Sequence, residues 1–440
     1  MRRPNLHARI LLSTLTIMGE AGKDETTMRV TVLCLACFLS GYLLLGSCDS
    51  SLQIKRIVRN DLFSIGYGLS EDQIDLSSMG DNSIDMDMKE GIFHILDGSG
   101  KKAMRFSSYG DLLALYYDKS RLPEPRTVKP TVQADNGLLG TPTLSQGRYA
   151  VAVNFVSPSR MTVDSAQIIY IADRVENPAA RVFDVQSQAF CDRIVRRFGA
   201  QGMEMRYLGQ EGPGGTPFPF ITALKALDDD TLAVISESES VFLIHHFGKE
   251  GNLLSTLKLN RSSLPLPKNL VSGANDSKNQ QIHANLDGII ESIEAKSFRV
   301  SLKIDYYREY FDPVSHVISR SEFAGSWIFV LDGFTGTVLR NFNILPSGSD
   351  SPIPEFIGMS SGIYYFLSNS EDVHEGTSSG KGPRRILQLI DGVGKVRSRF
   401  LIDLPASTKE IVSIKVSPTG YVYALLSTEL AVRVVWWYYR

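Results

Sequence analysis

Apolar and polar residues alternate in short runs along most of this chain, and clusters of Gly, Asp or Asn close nearly every run. The clearest stretch is 218–259. Residues 221–227 alternate, Asp228-Asp229-Asp230 turns the chain, 231–236 and 241–247 alternate again, and a Gly-containing turn at 248–251 leads into a last run at 252–259. A period of two between turn residues predicts four antiparallel strands in a meander. A single four-stranded sheet cannot bury both of its faces, so it needs copies of itself to pack against.

The same pattern continues on both sides. Strands are predicted at 91–96, 149–155, 168–173, 289–306, 327–342, 363–367, 386–400, 411–416, 421–426 and 432–439. Asp97-Gly98-x-Gly100-Lys101 before Arg105-Phe106 recurs as Asp391-Gly392-x-Gly394-Lys395 before Arg399-Phe400, with Asp332-Gly333 as a looser third copy. Asp-Gly between strands marks a tight turn with positive φ. Six sheet-like units can be placed, starting near residues 61, 140, 213, 282, 353 and 408, and no amphipathic helix of three turns is evident. The prediction is an all-β fold: a β-propeller of six blades with four antiparallel strands each, five or seven blades being the alternatives. Two β-sandwiches would not explain a hairpin that recurs late in each unit.

The first 47 residues read differently. Residues 30–45 form a nearly uninterrupted apolar run behind Arg29. That is short for a membrane span and suits the core of a signal peptide. The run ends in Leu45-Gly46-Ser47-Cys48, which resembles the lipobox of bacterial lipoproteins. The resemblance implies cleavage before Cys48 and a lipid anchor on its thiol. An uncleaved short anchor or a plain secretory signal is the alternative. Asp24 and Glu25 interrupt what should be a basic leader, so Met28 is the expected start and 1–27 an upstream extension; an unusually long leader is the other reading. The expected organisation is a signal region at 1–47, a lipidated tether or closing strand at 48–60 and the propeller at 61–440.

Charge and cysteines narrow the field. Residues 1–47 hold five of the 46 Lys/Arg and three of the 48 Asp/Glu, so the remainder carries 41 against 45. A mildly acidic body is no nucleic-acid signature and argues against a broad polybasic membrane surface. Cys34, Cys37 and Cys48 precede the body and only Cys191 lies within it, so no disulfide framework can form there. The Cys34-x-x-Cys37 spacing sits in the apolar run, without the further ligands a zinc site needs.

The 218–259 unit is similar to an NHL repeat: a Pro-containing entry, an Asp-rich turn before Thr-Leu-Ala-Val, then a Gly-containing hairpin. The likeness extends more loosely to the units around Asp97, Asp391 and Tyr421. Residues 326–342 instead look like a quinoprotein-type propeller repeat, but Arg340 stands where that repeat carries a late tryptophan, so no quinone site is implied. Together with the lipobox, the chain resembles the propeller lipoproteins of spirochaetes, a resemblance that supplies no mechanism.

Several features invite chemistry and have plainer readings. Gly376-Thr377-Ser378-Ser379-Gly380 has nucleophile-elbow spacing but no helix behind it. His245 and His246 alternate faces of a strand and cannot hold one metal together; His94 and His283 could meet only through the fold. Asp228-Asp229-Asp230 reads as a solvated turn rather than a calcium loop, which needs six or more ordered oxygens. Arg193, Arg196 and Arg197 read as the polar face of an edge. Trp436-Trp437-Tyr438-Tyr439 puts aromatics on both faces of a strand, the inward ones core and the outward ones a contact patch.

No cofactor, metal site or catalytic residue is expected. The expected function is a lipid-anchored, non-catalytic propeller of the cell envelope that binds protein partners, with loops 119–147 (rich in Pro at 123, 125, 130 and 142), 260–281 and 370–385 as contact elements. The alternatives are a propeller hydrolase or lyase with a metal in its central channel, and a scaffold of outer-membrane assembly. The chain ends inside a strand, 432–439. Either a strand from 52–67 completes that blade, which 51–58 suggests by its alternation, or the natural chain continues.

Overall fold

The computed structural model describes residues 53–80, 83–122, 125–126, 148–185, 187–270, 280–346, 351–369 and 383–439. Cys34, Cys37, Cys48, the 376–380 motif and most of the 119–147 segment lie outside the described residues.

The fold is a β-propeller of six blades. Blade one is Ile84–Lys89, Ile92–Asp97, Lys102–Phe106 and Leu112–Tyr117, with Tyr149–Ala152 added in parallel as a fifth strand. Blade two is Arg160–Val163, Ile169–Arg174, Arg193–Phe198 and Glu204–Gly209, edged by Gly212–Pro213. Blade three is Phe220–Ala226, Leu232–Glu237, Val241–Phe247 and Leu253–Asn260. Blade four is Gln280–Glu294, Ser297–Phe311, Ile318–Asp332 and Val338–Pro346. Blade five is Glu355–Ser360, Ile363–Asn369, Arg384–Asp391 and Val396–Asp403, with Ile54–Arg56 parallel on its outer edge. Blade six is Glu410–Val416, Val422–Ser427 and Ala431–Tyr438, and Val58–Gly66 supplies its outer strand.

The closing strand is therefore N-terminal, but it lies further along the chain than the 51–58 alternation suggests. Ile54–Arg56 is exposed throughout and rides on blade five. The apolar residues that can face a core, Phe63 and Ile65, come later, and it is this stretch that pairs antiparallel with Ala431–Tyr438. A boundary at residue 61 thus falls inside a strand. Blade two likewise begins at Arg160, and Tyr149–Ala152 belongs to blade one.

The first strand of each blade lies innermost. These strands neighbour one another from Ile84–Lys89 to Arg160–Val163 to Phe220–Ala226, and from Gln280–Glu294 through Glu355–Ser360 and Glu410–Val416 back to the start. Each blade is one sheet with two apolar faces, so the core is divided among the clefts between blades. Six apolar clusters fill them, one per neighbouring pair, each joining side chains from two sheets. Fully buried Phe93, Phe198, Phe247, Tyr306 and Trp437 anchor five of these clefts. Burying each such side chain contributes roughly 1.5–3 kcal/mol.

The Asp-Gly turns do not occupy one repeated position. Asp97 closes the second-to-third strand turn of blade one, whereas Asp332 and Asp391 close the third-to-fourth turns of blades four and five. The likeness is local. In all three the Asp carboxylate accepts turn amides: from Gly100 N at 2.9 Å, from Thr335 N at 3.0 Å, and from Val393 N at 3.0 Å. Nor do the Asp-Gly glycines hold positive φ. Of the motif glycines Gly98, Gly100, Gly333, Gly392 and Gly394 only Gly394 does, at 86°, and Lys101 carries the positive φ of the first turn at 49°. Gly98 is needed for room: a Cβ there would stand 2.6 Å from the Pro158 carbonyl oxygen. Gly333 is equally close-packed, against the Phe298 ring.

Candidate functional site: the central channel

Inner strands have no neighbour on the channel side, so their outward backbone groups need partners. Side chains of the preceding blade supply them. In blade one, Asp85 Oδ2 accepts from Met161 N at 2.9 Å and Asp87 Oδ2 from Val163 N at 3.0 Å, both on the inner strand of blade two. Thr162 Oγ1 donates to Asp87 Oδ2 at 2.7 Å and accepts from Ala226 N of blade three at 3.0 Å. Arg160 Nε donates to Thr222 O at 2.8 Å, and Ser360 Oγ in blade five to Pro418 O in blade six at 2.6 Å. Blade six returns to blade one through Lys415 Nζ, 2.9 Å from Asp85 Oδ1, and Tyr423 Oη, 2.9 Å from Asp87 Oδ1.

These contacts set the charges. Burial works to raise the Asp87 carboxyl, but the Lys415 charge and the hydrogen bonds from Thr162, Val163 and Tyr423 outweigh it and hold it below the usual carboxylate range. Burial works to lower Lys415, and the charges of Asp85 and Asp87 reverse that and raise it. Burial, reinforced by the Asp87 charge, drives the Tyr423 phenol well above its usual range. Asp85, Asp87, Lys415 and Tyr423 are thus committed to one another and to the backbone.

Between blades three and four the channel is different. Glu291 is 2% exposed, and its Oε1 has no hydrogen-bond partner among the described residues. Burial pushes its carboxyl up to about 7, against the pull of the Lys225 charge. Lys225 makes no hydrogen bond or ion pair with any described residue; burial lowers its ammonium, and the charges of Glu291, Asp228 and Asp87 resist. The neighbouring Ser292 hydroxyl is also unpartnered among the described residues. Lys225, Glu291 and Ser292 all border a cavity of about 390 Å³ whose apolar wall includes Met88, Val163, Leu224, Ile289 and Ile290. A smaller recess of about 250 Å³ lies near the start of the inner strands, beside Asp85 and Arg160.

Opposed but separate charges in a half-apolar hollow suit ligand binding. A cation site would need several oxygen or nitrogen donors together, and among the described residues no three His, Cys, Asp or Glu side chains converge at metal-binding distance.

The sequence candidates lie elsewhere. Asp97 is fully buried at a blade turn, where it accepts from Ser78 Oγ and Asp75 N and faces Lys102 at 3.6 Å. Asp332 pairs with Arg299 at 2.6 Å and Asp391 with Arg397 at 2.8 Å. His245 and His246 do point to opposite faces and both are buried. His245 packs against Phe218, with burial lowering its imidazole to about 4, while His246 stacks on Phe298 at 4.0 Å and bonds Thr231 Oγ1 at 2.9 Å. His94 is sealed inside blade one and His283 is exposed on blade four, so the fold does not bring them together. Asp229 accepts from Thr231 N within its own turn, and Asp230 accepts from Ser165 N, which follows the inner strand of blade two.

The arginine cluster departs from its expected place on a polar edge. Arg196 is 7% exposed and grips fully buried Asp173 at 2.9 Å, with Glu176 and Glu204 at 2.9 and 2.8 Å. Arg197 is buried too and donates to the Arg206 and Glu250 carbonyls. The guanidinium satisfies several acceptors from three segments at once, which a solvated edge would not require. The aromatic terminus is likewise less open than expected: Trp437 is core, Trp436 stacks on Tyr421, and Tyr439 is 45% exposed while stacked on Phe400.

Sequence reasoning passed over Asp85, Asp87, Lys225, Glu291 and Lys415. Their signal is a charged residue inside the strand that opens a blade. A second signal accompanies it: the inner strands of blades three to six each carry a register shift at Ile221/Ala223, Leu286/Gly288, Phe356/Gly358 and Ile411/Ser413. In each case a large apolar residue is followed two positions on by a small one, which lets the strand bulge next to the channel.

No protein-family model matches the chain, and no curated protein matches it. Solved structures that are similar include a protein of unknown function from Bacteroides caccae, at 12% identity over 72% of this chain and 82% of that one, TM-score 0.29. A DUF4221 family member from Bacteroides vulgatus has 9% identity over 87% and 99%, TM-score 0.36. Apo AztD from Citrobacter koseri has 11% identity over 72% and 74%, TM-score 0.27.

Proposed function

We propose that this protein is a lipid-anchored β-propeller of the cell envelope, held through Cys48, that works by binding protein partners rather than by catalysis. The apolar run at 30–45 and the Leu45-Gly46-Ser47-Cys48 ending support the anchor, in the form seen among spirochaete lipoproteins. Stable anchoring takes two or more acyl chains, since a single one holds only marginally. Cys48→Ala should abolish palmitate incorporation; a wild type that takes up no label removes the anchor from the proposal.

The observation that carries the binding role is an apolar hairpin on one face of the ring. Strands alternate direction, so the second-to-third turn of every blade lies on the face where the inner strands begin. In blade two that turn is enlarged into the hairpin Val182–Asp184 and Ala189–Cys191. The Phe183 and Phe190 rings meet edge to face at 5.2 Å and are 47% and 56% exposed, beside exposed Val182 and Val185. Blade four extends over the same face, with strands of 15 residues and a tip carrying exposed Val314, Val317 and Ile318. Exposed apolar clusters of this kind mark contact surfaces. By the same strand parity the described ends of the 260–281 and 370–385 segments and the start of the 119–147 segment lie on this face, while the parallel pairing of Tyr149 beside Ala114 puts the other end of 119–147 on the opposite face.

Phe183→Ser with Phe190→Ser should leave the fold intact, because both side chains lie outside the six clefts. A photo-cross-linking residue at Val317 should yield a discrete protein adduct in intact envelopes that the double variant loses. An adduct unchanged by the double variant would remove the hairpin from the binding face.

A further inference from the structure

The channel holds a pair of charges that the fold itself does not use. Several charged side chains of the channel are committed: Asp85 and Asp87 to backbone amides, Lys415 to Asp85, and Arg160 to Thr222 O. Glu291 and Lys225 stand apart. Each is drawn toward the other across the cavity, yet Glu291 Oε1 has no hydrogen-bond partner and Lys225 no ion pair among the described residues. A desolvated carboxyl and a desolvated ammonium each cost free energy unless something completes them.

We propose that the cavity between Lys225 and Glu291 is a binding site for a small zwitterion of the α-amino-acid class with an apolar side chain. Its carboxylate sits on Lys225 Nζ and its ammonium on Glu291 Oε1. The charges present favour this class over the alternatives. A net anion would meet Glu291, Asp87, Asp228 and Glu355, all of which border the cavity. A net cation would meet Lys225 and Lys415. A zwitterion opposes the dipole of the site and leaves the channel's balance unchanged. The Ser292 hydroxyl, unpartnered beside Glu291, adds a second group for the ammonium. Met88, Val163, Leu224, Ile289 and Ile290 offer the side chain an apolar wall. A volume of about 390 Å³ lies at the small end of ligand pockets, which run from about 300 to 1,000 Å³. This site stands independently of the docking face, and either can fail without the other.

The test is calorimetric titration of the full-length protein in detergent at pH 8, with L-phenylalanine and L-leucine as probes. 3-Phenylpropionate and 2-phenylethylamine, each keeping one of the two charges, are the comparators. At least one amino acid should bind saturably, and both comparators at least tenfold more weakly than L-phenylalanine. Lys225→Met and Glu291→Gln should each weaken amino-acid binding at least tenfold while unfolding cooperatively like the wild type. Should a variant fail to fold, the comparison among ligands on the wild type decides. No saturable binding of either amino acid, comparators that bind as tightly as L-phenylalanine, or folded variants that keep full affinity would each overturn the proposal.

Discussion

Tyr423 Oη donates to Asp87 Oδ1 at 2.9 Å, and the two residues are 336 positions apart. The contact joins the first and last blades at the channel, beside the Lys415–Asp85 ion pair. A ring of sheets is only as stable as its seam, and here the seam is fastened twice. At the rim Val58–Gly66 pairs with Ala431–Tyr438, and at the axis the side chains of blade six bind those of blade one.

Tyr423→Phe should destabilise the fold by about 1–3 kcal/mol, the loss of a hydrogen bond to a buried charge. Urea unfolding of Tyr423→Phe, Asp87→Asn and the double variant measures it. The double variant should lose less than the sum of the singles, because the two residues share one contact. Strict additivity would show that the axial fastening contributes nothing.

Glu291 sets a pH dependence. Its carboxyl titrates at about 7 in the fold against 4.5 in an open chain. A raised folded value means that the protonated form is favoured by folding. That contribution is fully present below pH 4.5 and is lost as pH rises through about 7. Glu291→Gln cannot ionise, so its stability relative to wild type should improve between pH 5 and pH 8, by up to about 3 kcal/mol. Denaturation of both proteins at the two pH values checks this. A constant difference would mean that Glu291 is not desolvated in the channel.

The Asp-Gly turns should respond unequally to substitution. At Gly98 an added Cβ would collide with the Pro158 and Ser83 carbonyl oxygens at 2.6 and 2.7 Å, backbone atoms that cannot rotate away. Gly98→Val should cost about 2–4 kcal/mol. At Gly392 the nearest atoms belong to the Arg340 side chain at 3.6 Å, an ordinary contact, so Gly392→Val should cost under about 1 kcal/mol. Melting temperatures rank them, and equal losses would contradict the crowding explanation.

Arg196 should be the most sensitive of the three arginines. Removing it by Arg196→Met leaves Asp173 buried without its cation, at a cost of about 3–5 kcal/mol. Arg196→Lys should recover little, since an ammonium cannot reach Asp173, Glu176, Glu204 and the Asn154 carbonyl together. Full rescue by lysine, read from thermal unfolding, would show that only the charge matters.

The blades were legible because their signal is local. Alternation and turn residues mark strands wherever the chain goes next, and 218–259 folds as four strands within about one residue of the expected limits. The same locality misled where the hairpin motif was taken for a fixed position in the repeat. An Asp that caps its own turn does so equally well between the second and third strands or the third and fourth.

The sequence by itself determined an all-β propeller and favoured six blades over five or seven, since period-two patterning acts over a few residues at a time. Only the tertiary structure decided which strand closes the ring, that Arg196 is buried, and that Lys225 and Glu291 face one cavity. Those relations join residues tens to hundreds of positions apart. They depend on which blade lies beside which and on the parity of strand direction, neither of which can be read from a single strand.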